Sequence, residues 1–266
     1  MSLCTGLMMS DRNNPEYLNP YDPQKYWENR LKSRFDIVAV GHPTFNRMYN
    51  EYLYKLQLLV LKDALRKHGI SLNGKIVLDI GCGTGFFFRF YLENSAQITG
   101  IDITTTSIES LRKSLPDGKF ITMDISAELP ANKDYFANQF DIINMLNVIF
   151  HVVDDVKFER ALGNLAACLK EGGYLLISDY FGDEDIFPAP NTKLRGLKRY
   201  KTLEQKGVKI LEIIPIYFFM NRRLDLLPYT INNLISPLLF AFDYIITKLR
   251  WPKGNNIKLL IGRKQS

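Results

Sequence analysis

Cysteine is scarce in this chain of 266 residues, which contains only Cys4, Cys82 and Cys168. The three are odd in number, far apart and without metal-ligand spacing, which is typical of a reducing compartment and indicates no metal site. The chain also lacks a basic N-terminal region followed by an apolar run, so no signal peptide is predicted. No stretch reaches the roughly 18 uninterrupted apolar residues of a membrane-spanning helix. These absences predict a soluble, cytoplasmic protein.

Charge of one sign is not in large excess either. Lys and Arg number 34 against 28 Asp and Glu, and the resulting net charge of +6 is dispersed along the chain. This balance permits an acidic partner such as RNA or an anionic lipid surface without demonstrating one. The content of 46% apolar and 23% charged residues is ordinary for a globular protein, and the length suits one domain with additions or two small ones.

The stretch from Lys75 to Phe90, KIVLDIGCGTGFFFRF, organises the rest of the sequence. Its apolar run Ile76-Val77-Leu78 has the composition of a strand buried on both faces of a parallel sheet, and glycines follow at 81, 83 and 85. A strand, a glycine-rich turn and a helix N-terminus offer backbone N–H groups to an anionic ligand. The ligand is not specified by the dinucleotide fingerprint, which needs a glycine where Phe86 stands, nor by a phosphate loop, whose Gly-Lys-Ser/Thr ending is missing.

The same stretch resembles the first motif of the class I S-adenosylmethionine-dependent methyltransferases, to which VLDIGCGTG is close to a full match. The resemblance continues through strands that end near Asp102, Asp124 and Asn147 and through LKEGG before a fifth strand, and it extends to about Tyr180. It implies S-adenosylmethionine as the cofactor, with S-adenosylhomocysteine as product. It also implies an α/β fold with a doubly wound, mostly parallel seven-stranded sheet in the order 3-2-1-4-5-7-6.

Asp102 stands 21 residues beyond Gly81 at the end of a predicted strand, where a carboxylate can accept hydrogen bonds from both hydroxyls of a ribose. A helix cap is its alternative role, because Thr104 to Ser107 begin the next helix. In the family, the positions of Asp124 and Ile125 line the adenine. The resemblance assigns cofactor binding to Tyr26, Trp27, Arg30, Asp79, Gly81, Cys82, Gly83, Gly85, Phe86, Asp102, Ile103, Asp124, Ile125 and Asn147.

Two helices are predicted before the first strand. Asp22-Pro23 starts a helix that runs to about Arg34 and carries Tyr26, Trp27 and Arg30 on roughly one face. This helix either buries Trp27 as a capping element or forms a lid over the cofactor, as a Y-W-x-x-R element often does in the methyltransferases that the chain resembles. The second helix is amphipathic and spans Asn46 to His68.

The late part of the chain has an unusual connection between two predicted strands, Val208 to Phe219 and Asn256 to Arg263. Residues 222–253 are rich in Leu, Ile and Phe, carry basic residues at both ends, and are interrupted by Pro237 and Asp243. A helical hairpin packed on the domain, or a dimer interface, is one interpretation. The other is an apolar acceptor pocket, or a segment that rests on a membrane with Trp251 at the interface. Before this region, Asp183 to Pro190 is predicted as a loop and Lys193 to Lys206 as a basic, solvated helix.

These elements divide the chain into three parts. Residues 1–70 are predicted to form a helical lid or cap, and residues 71–220 with 255–266 a Rossmann-like domain that binds S-adenosylmethionine. Residues 221–254 form the apolar helical insertion, which completes the cap and is the candidate for peripheral membrane contact.

Methyl transfer from a sulfonium requires mainly a positioned nucleophile and the exclusion of water, and a base only when the acceptor must lose a proton. His151, Asp179 and His42 are the candidate bases, with a structural role as the alternative for His151. An N-P-P-Y tetrad after the fourth strand and a Pro-Cys nucleophile are both missing, which argues against nucleic acid as the partner. We predict a methyltransferase acting on an oxygen or nitrogen of a small or amphipathic, lipid-like molecule, in a monomer or homodimer. RNA methylation and a catalytically silent S-adenosylmethionine-binding module are the alternatives.

Overall fold

A computed structural model describes residues 21–129, 136–221, 228–249 and 256–265 of the chain. The strands are β1 (Ile76–Ile80), β2 (Gln97–Asp102), β3 (Lys119–Thr122), β4 (Phe140–Met145), β5 (Leu169–Asp179), β6 (Ile186–Ala189), β7 (Thr192–Leu194), β8 (Val208–Pro215) and β9 (Lys258–Lys264). The helices are α1 (Pro23–Ser33), α2 (Ile37–Val40), α3 (Arg47–Lys67), α4 (Phe86–Glu93), α5 (Thr105–Ser114), α6 (Asp155–Cys168), α7 (Leu197–Gln205), α8 (Tyr229–Leu234) and α9 (Ser236–Lys248).

One seven-stranded sheet forms the centre of the molecule, in the order β3-β2-β1-β4-β5-β9-β8. The strands from β3 to β5 pair in parallel, and β9 lies antiparallel between β5 and β8. Strands β6 and β7 form a separate hairpin. With that hairpin set aside, the order is the predicted 3-2-1-4-5-7-6, and the predicted fold class is confirmed.

Helices cover both faces of this sheet, which explains the continuous apolar runs of its strands. Val77 of β1 packs into a core with side chains of α3 and α4, whereas its neighbour Leu78 packs into a second core with side chains of α6 and α7. The chain order reverses between β1 and β4, so a crevice opens at the carboxyl ends of these two strands. The segments after β1, β2 and β4 therefore meet at one place.

The N-terminal helices close over that crevice and are fixed by polar contacts. Asp22 caps α1 by accepting a hydrogen bond from the Lys25 amide at 3.1 Å, as predicted. Glu28 of α1 accepts a hydrogen bond from the Thr106 hydroxyl at 2.6 Å, which attaches α1 to the first turn of α5. The short helix α2 was not predicted; Asp36 caps it by accepting from the amides of residues 38 and 39.

The predicted insertion contains α8 and α9, while residues 222–227 and 250–255, which include Trp251, lie outside the described residues. Asp243 of α9 is buried and accepts from the amides of Phe219 and Met220 at 2.8 and 2.9 Å. The opposite face of α9 exposes large apolar side chains, with Leu238 61% and Phe242 56% accessible. Helix α9 thus points the Asp243 carboxylate into the protein and its large apolar side chains toward the solvent. None of the helices in the described part of the chain is long and apolar enough to cross a membrane.

The segment before β8 differs from the prediction. The supposed loop 183–190 contributes β6, and the supposed basic helix begins only at Leu197, after β7. The prediction of a solvated basic face is wrong for Lys193 and Arg195, which are 6% and 0% exposed. Both pair with Asp155, at 2.5 and 3.1 Å. This acid comes from a helix some forty positions away, so local sequence could not reveal the pairing.

Candidate functional site

Two adjoining cavities occupy the crevice, one of about 290 Å³ and one of about 280 Å³. The first lies against the segments that follow β1, β2 and β3, and the second lies between the N-terminal helices and the β6–β7 hairpin. Their common wall consists of Trp27, Val40, Tyr54, Asn147 and His151. A ligand in one cavity would therefore lie next to a ligand in the other.

The glycine-rich loop approaches the first cavity with its backbone. Gly81, Gly83 and Gly85 have φ values of +67°, +50° and +80°, a region that glycine adopts without strain. The amides of Gly81 and Cys82 both donate to the Ile101 carbonyl, at 2.8 and 3.0 Å. The expectation that loop amides await an anion is thus wrong for these two, and the glycines serve mainly for close packing.

Replacing Gly81 with alanine should destabilise the protein more than the same change at Gly74. Both glycines have positive φ, but a Cβ at Gly81 would overlap the Val148 side chain, whereas nothing lies within 4 Å of a Cβ at Gly74. We expect Gly74→Ala to lower the free energy of unfolding by about 1 kcal/mol, and Gly81→Ala by about 2–4 kcal/mol because overpacking is added. Urea unfolding of the two variants measures the difference. Equal losses would contradict the close approach.

Asp102 lies at the end of β2 and lines the first cavity while being only 8% exposed. One of its oxygens accepts from the amide and the hydroxyl of Thr104, at 2.9 and 2.7 Å, and the other accepts from the Gly83 amide at 2.9 Å. Burial raises the pKa of this carboxyl above its usual value. A carboxylate has about four acceptor directions, so about one remains for a further donor. Asp102 thus fixes the glycine loop and keeps room for a hydroxyl, and Thr104, not Asp102, caps α5.

Further carboxylates give the first cavity a negative character. Among the residues that the structure describes, its lining includes Asp22, Asp102, Asp124 and Asp154, against one cation, Lys157. One oxygen of Asp124 accepts from the amide and hydroxyl of Ser126, at 2.8 and 2.6 Å. The other predicted cofactor residues of the lining are Trp27, Gly81, Cys82, Gly83, Phe86, Ile103, Ile125 and Asn147. This lining suits a ligand with net positive charge.

Asp79 lies beneath the loop and does not line the cavity. Gly85, the N-cap residue of α4, does not line the cavity either. One Asp79 oxygen accepts from the Asn144 amide at 2.7 Å, and the other, also buried, has no hydrogen-bond partner within the described ranges. Burial raises the pKa of Asp79 to about 7, with the charge of Asp102 as a smaller cause. An unpaired carboxylate oxygen at this depth would be stabilised by positive charge on a ligand.

His151 stands in the wall between the two cavities. Its Nδ1 lies 2.7 Å from the carbonyl oxygen of Asn191, and because a carbonyl can only accept, Nδ1 carries the proton and Nε2 keeps a lone pair. Burial lowers the pKa of His151 to about 4. The edge-on ring of Trp27, with centroids 4.8 Å apart, holds the imidazole from one side. His151 is therefore a neutral acceptor at physiological pH.

The other two predicted bases are placed differently. His42 lines the second cavity, and burial lowers its pKa to about 4. Asp179 lines neither cavity; it is fully buried and accepts hydrogen bonds from the Tyr200 hydroxyl and from the Tyr180 amide. The structure thus brings both histidines to the cavities but leaves Asp179 in the core. Among the described residues, no group of three or more His, Cys, Asp and Glu side chains could hold a metal ion.

Two of the residues predicted to contact a cofactor, Tyr26 and Arg30, line the second cavity and not the first. Sequence reasoning missed Gln57, which projects from α3 into the second cavity, where its side-chain oxygen accepts from Asn147 at 2.8 Å. The sequence contained a signal for it, because Gln57 lies on the apolar face of α3 between Leu53 and Val60. In the structure its side chain is buried and only 4% exposed. A polar residue in such a stripe points to a buried polar function.

Comparisons of both the sequence and the structure find methyltransferases that are similar to this chain. Residues 77–173 match the family model described as a methyltransferase domain. The chain is 31% identical over 109 residues to the ubiquinone biosynthesis O-methyltransferase of Coxiella burnetii, a match that covers 41% of this chain and 45% of that protein. The chain thus spans less than half the length of this curated relative.

Two solved structures share the fold. The N-methyltransferase NodS of Bradyrhizobium japonicum, in complex with S-adenosylhomocysteine, is 15% identical, with a TM-score of 0.59 over 92% of this chain and 100% of that chain. The [4+2]-cyclase SpnF is 20% identical, with a TM-score of 0.50 over 73% of this chain and 76% of that chain. Since one is a methyltransferase and the other a cyclase, the fold alone does not specify the reaction.

Proposed function

We propose that this chain, which belongs to the class I S-adenosylmethionine-dependent methyltransferase family, transfers a methyl group from S-adenosylmethionine to an oxygen or nitrogen of a small organic acceptor. The observation that carries the proposal is the arrangement of the two cavities. The first has the glycine-rich loop and Asp102, and it shares a wall containing His151 with a second cavity of similar volume. A cofactor and an acceptor can therefore lie side by side.

The first cavity fits S-adenosylmethionine in charge and shape. Four aspartates against one lysine suit its net positive charge, and the loop from Gly81 to Thr84 lines the cavity, which brings the loop to the ligand. Asp102 would hold a ribose hydroxyl, Asp124 and Ile125 would line the adenine, and Trp27 would cover the site. When bound, S-adenosylmethionine supplies a methyl group on a sulfonium, whose leaving group is already activated.

We assign the role of general base to His151. Its neutral state and its free Nε2 lone pair allow it to accept the proton of an acceptor hydroxyl, and the wall position places it between the cavities. The name of the O-methyltransferase relative favours a hydroxyl acceptor, for which a base is required. Trp27 and Tyr54 in the same wall exclude water. In this proposal α1–α3 act as the predicted lid.

We also propose that the acceptor is amphipathic and that residues 221–254 make a peripheral contact with a membrane. The support is the outward apolar face of α9, fixed by the inward Asp243. A helix with one apolar face can lie in the interfacial plane of a bilayer.

Incubation of the purified protein with methyl-labelled S-adenosylmethionine and a fractionated lysate tests the function. We expect label in the aqueous small-molecule pool or in the lipid pool, and background label with Asp102→Ala. Label in the lipid pool supports the amphipathic acceptor, whereas label in RNA would contradict the proposed substrate class. Binding of S-adenosylhomocysteine without label in any pool would indicate a silent binding module.

A further inference from the structure

The second cavity carries a single formal charge. Among the described residues that line it, Arg30 is the only Asp, Glu, Lys or Arg. The rest of the lining is neutral, including two histidines whose pKa values are lowered to about 4, with the charge of Arg30 among the causes. The electrostatics of the two cavities are therefore opposite, since the first is lined by four aspartates.

No acid within the described ranges neutralises Arg30. Its guanidinium donates to the Tyr26 hydroxyl at 3.1 Å and to the carbonyls of Val38 and Gly41 at 3.3 and 3.4 Å, all neutral acceptors. These bonds use three of the five N–H donors of a guanidinium, so two remain. The group also lies over the Trp27 ring, 4.9 Å from its centroid. Arg30 is thus held in place, while among the described residues its charge has no acidic partner and two of its N–H groups have no acceptor.

The walls around Arg30 are flat and aromatic. In the described part of the chain, six aromatic side chains line the same cavity: Tyr26, Trp27, Tyr54, Phe150, Tyr180 and Tyr217. Its volume of about 280 Å³ is close to the lower limit, about 300 Å³, of sites that bind small molecules. Planar rings pack well in such surroundings, and a carboxylate matches the fork of a guanidinium.

We propose that the second cavity binds a planar aromatic acceptor that carries a carboxylate, with the carboxylate paired to Arg30 and the group to be methylated facing His151. This inference rests on the proposed function and narrows its substrate class. It also reassigns Arg30, since the sequence placed this residue with the cofactor. The acceptor would bind as an anion. The aspartates that line the first cavity would repel it, and it would therefore bind in the second cavity.

Calorimetry with two probes tests the assignment. Protocatechuate and catechol have the same ring and hydroxyls and differ only in the carboxylate. In the presence of saturating S-adenosylhomocysteine, we expect the wild-type protein to bind protocatechuate about tenfold or more tightly than catechol, the ratio that a charged hydrogen-bonded pair gives. Arg30→Gln should abolish this preference by lowering the affinity for protocatechuate far more than the affinity for catechol. Arg30→Lys should keep part of it, because the charge remains without the fork.

The control is Lys25→Gln, which removes one positive charge from the exposed side of α1, outside both cavities. It should retain the full preference, and all three variants should bind S-adenosylhomocysteine within about twofold of the wild type and melt cooperatively. An Arg30→Gln variant that loses S-adenosylhomocysteine affinity as strongly as protocatechuate affinity would overturn the inference and return Arg30 to the cofactor. Equal affinity of the wild type for both probes would overturn it as well. If the wild type fails to bind S-adenosylhomocysteine, the proposed function fails and this inference with it.

Discussion

Replacing Asp102 with alanine is expected to lower the affinity for S-adenosylhomocysteine by about 100-fold or more. Hydrogen bonds to a charged group contribute about 1.5–3 kcal/mol each, and every 1.4 kcal/mol is a factor of about ten in the dissociation constant. The variant loses the acceptor for a ribose hydroxyl, and it also frees the Gly83 and Thr104 amides that Asp102 now binds. The loop that lines the cavity would then relax. Calorimetric titration with S-adenosylhomocysteine measures the effect.

Asp117→Ala is the matched control, because Asp117 is an exposed acid of the same domain that lines neither cavity. It should bind S-adenosylhomocysteine with unchanged affinity. An Asp102→Ala variant that binds within about threefold of the wild type, below the contribution of one charged hydrogen bond, would remove Asp102 from the cofactor site and leave it a purely structural role in the loop.

Replacing His151 with glutamine is expected to lower kcat by about 10²-fold, the lower end of the usual contribution of a general base, because a pKa of about 4 makes the imidazole a weak proton acceptor. Affinity for S-adenosylhomocysteine should change much less than kcat, because His151 lines the first cavity only at the wall that it shares with the second. The measurement is steady-state methylation of the acceptor found in the labelled lysate, together with calorimetry. His68→Gln serves as control, since His68 caps the end of α3 beside Glu212 and lines neither cavity. If His151→Gln kept kcat within a few-fold, the acceptor would need no base.

The pH dependence follows from the same histidine. Burial lowers the pKa of His151 to about 4, from the ordinary histidine value of 6.5. The base form therefore predominates throughout the neutral range. With S-adenosylmethionine held at saturation, so that protonation of Asp79 near pH 7 does not enter as weaker cofactor binding, kcat/KM for the acceptor should stay level as pH falls from about 8 to about 5 and decline only as pH passes through about 4. A rate profile with its acid limb near 6.5 would indicate an unperturbed histidine and contradict the buried position.

Local patterns predicted one part of the first cavity, the part whose elements lie close together in sequence. The strand before Asp79, the glycines of the loop and Asp102 follow one another within one strand–helix–strand unit, and each has a strong conformational or polar signature. Asp102 was assigned on its position alone, and the structure places it in the first cavity. The helix starts at Asp22 and Asn46 could be predicted for the same reason, since a cap is a short-range interaction.

The lining of the second cavity could not be predicted in this way. Its walls come from α1–α3, the β6–β7 hairpin and residues near 256, and only a small part of them lies within the stretch 77–173 that matches the family model. Which of these distant segments meet is decided by packing across the whole sheet. The hairpin itself was missed because Pro188 and the acids around it are typical of loops, and Arg195 was taken as solvated because its partner Asp155 lies on another element.

The hydrogen bond from His151 to the Asn191 carbonyl has a consequence for sequence variation. Every residue type supplies a backbone carbonyl, so the tautomer of His151 does not depend on which side chain occupies position 191. It depends instead on the number of residues in the β6–β7 hairpin, because a one-residue insertion or deletion would move the carbonyl away from Nδ1. Point substitutions at the hairpin tip can therefore accumulate without affecting the tautomer of His151, whereas changes in the length of the hairpin cannot. Among related sequences we expect the residue types in this turn to vary and the number of residues to stay the same.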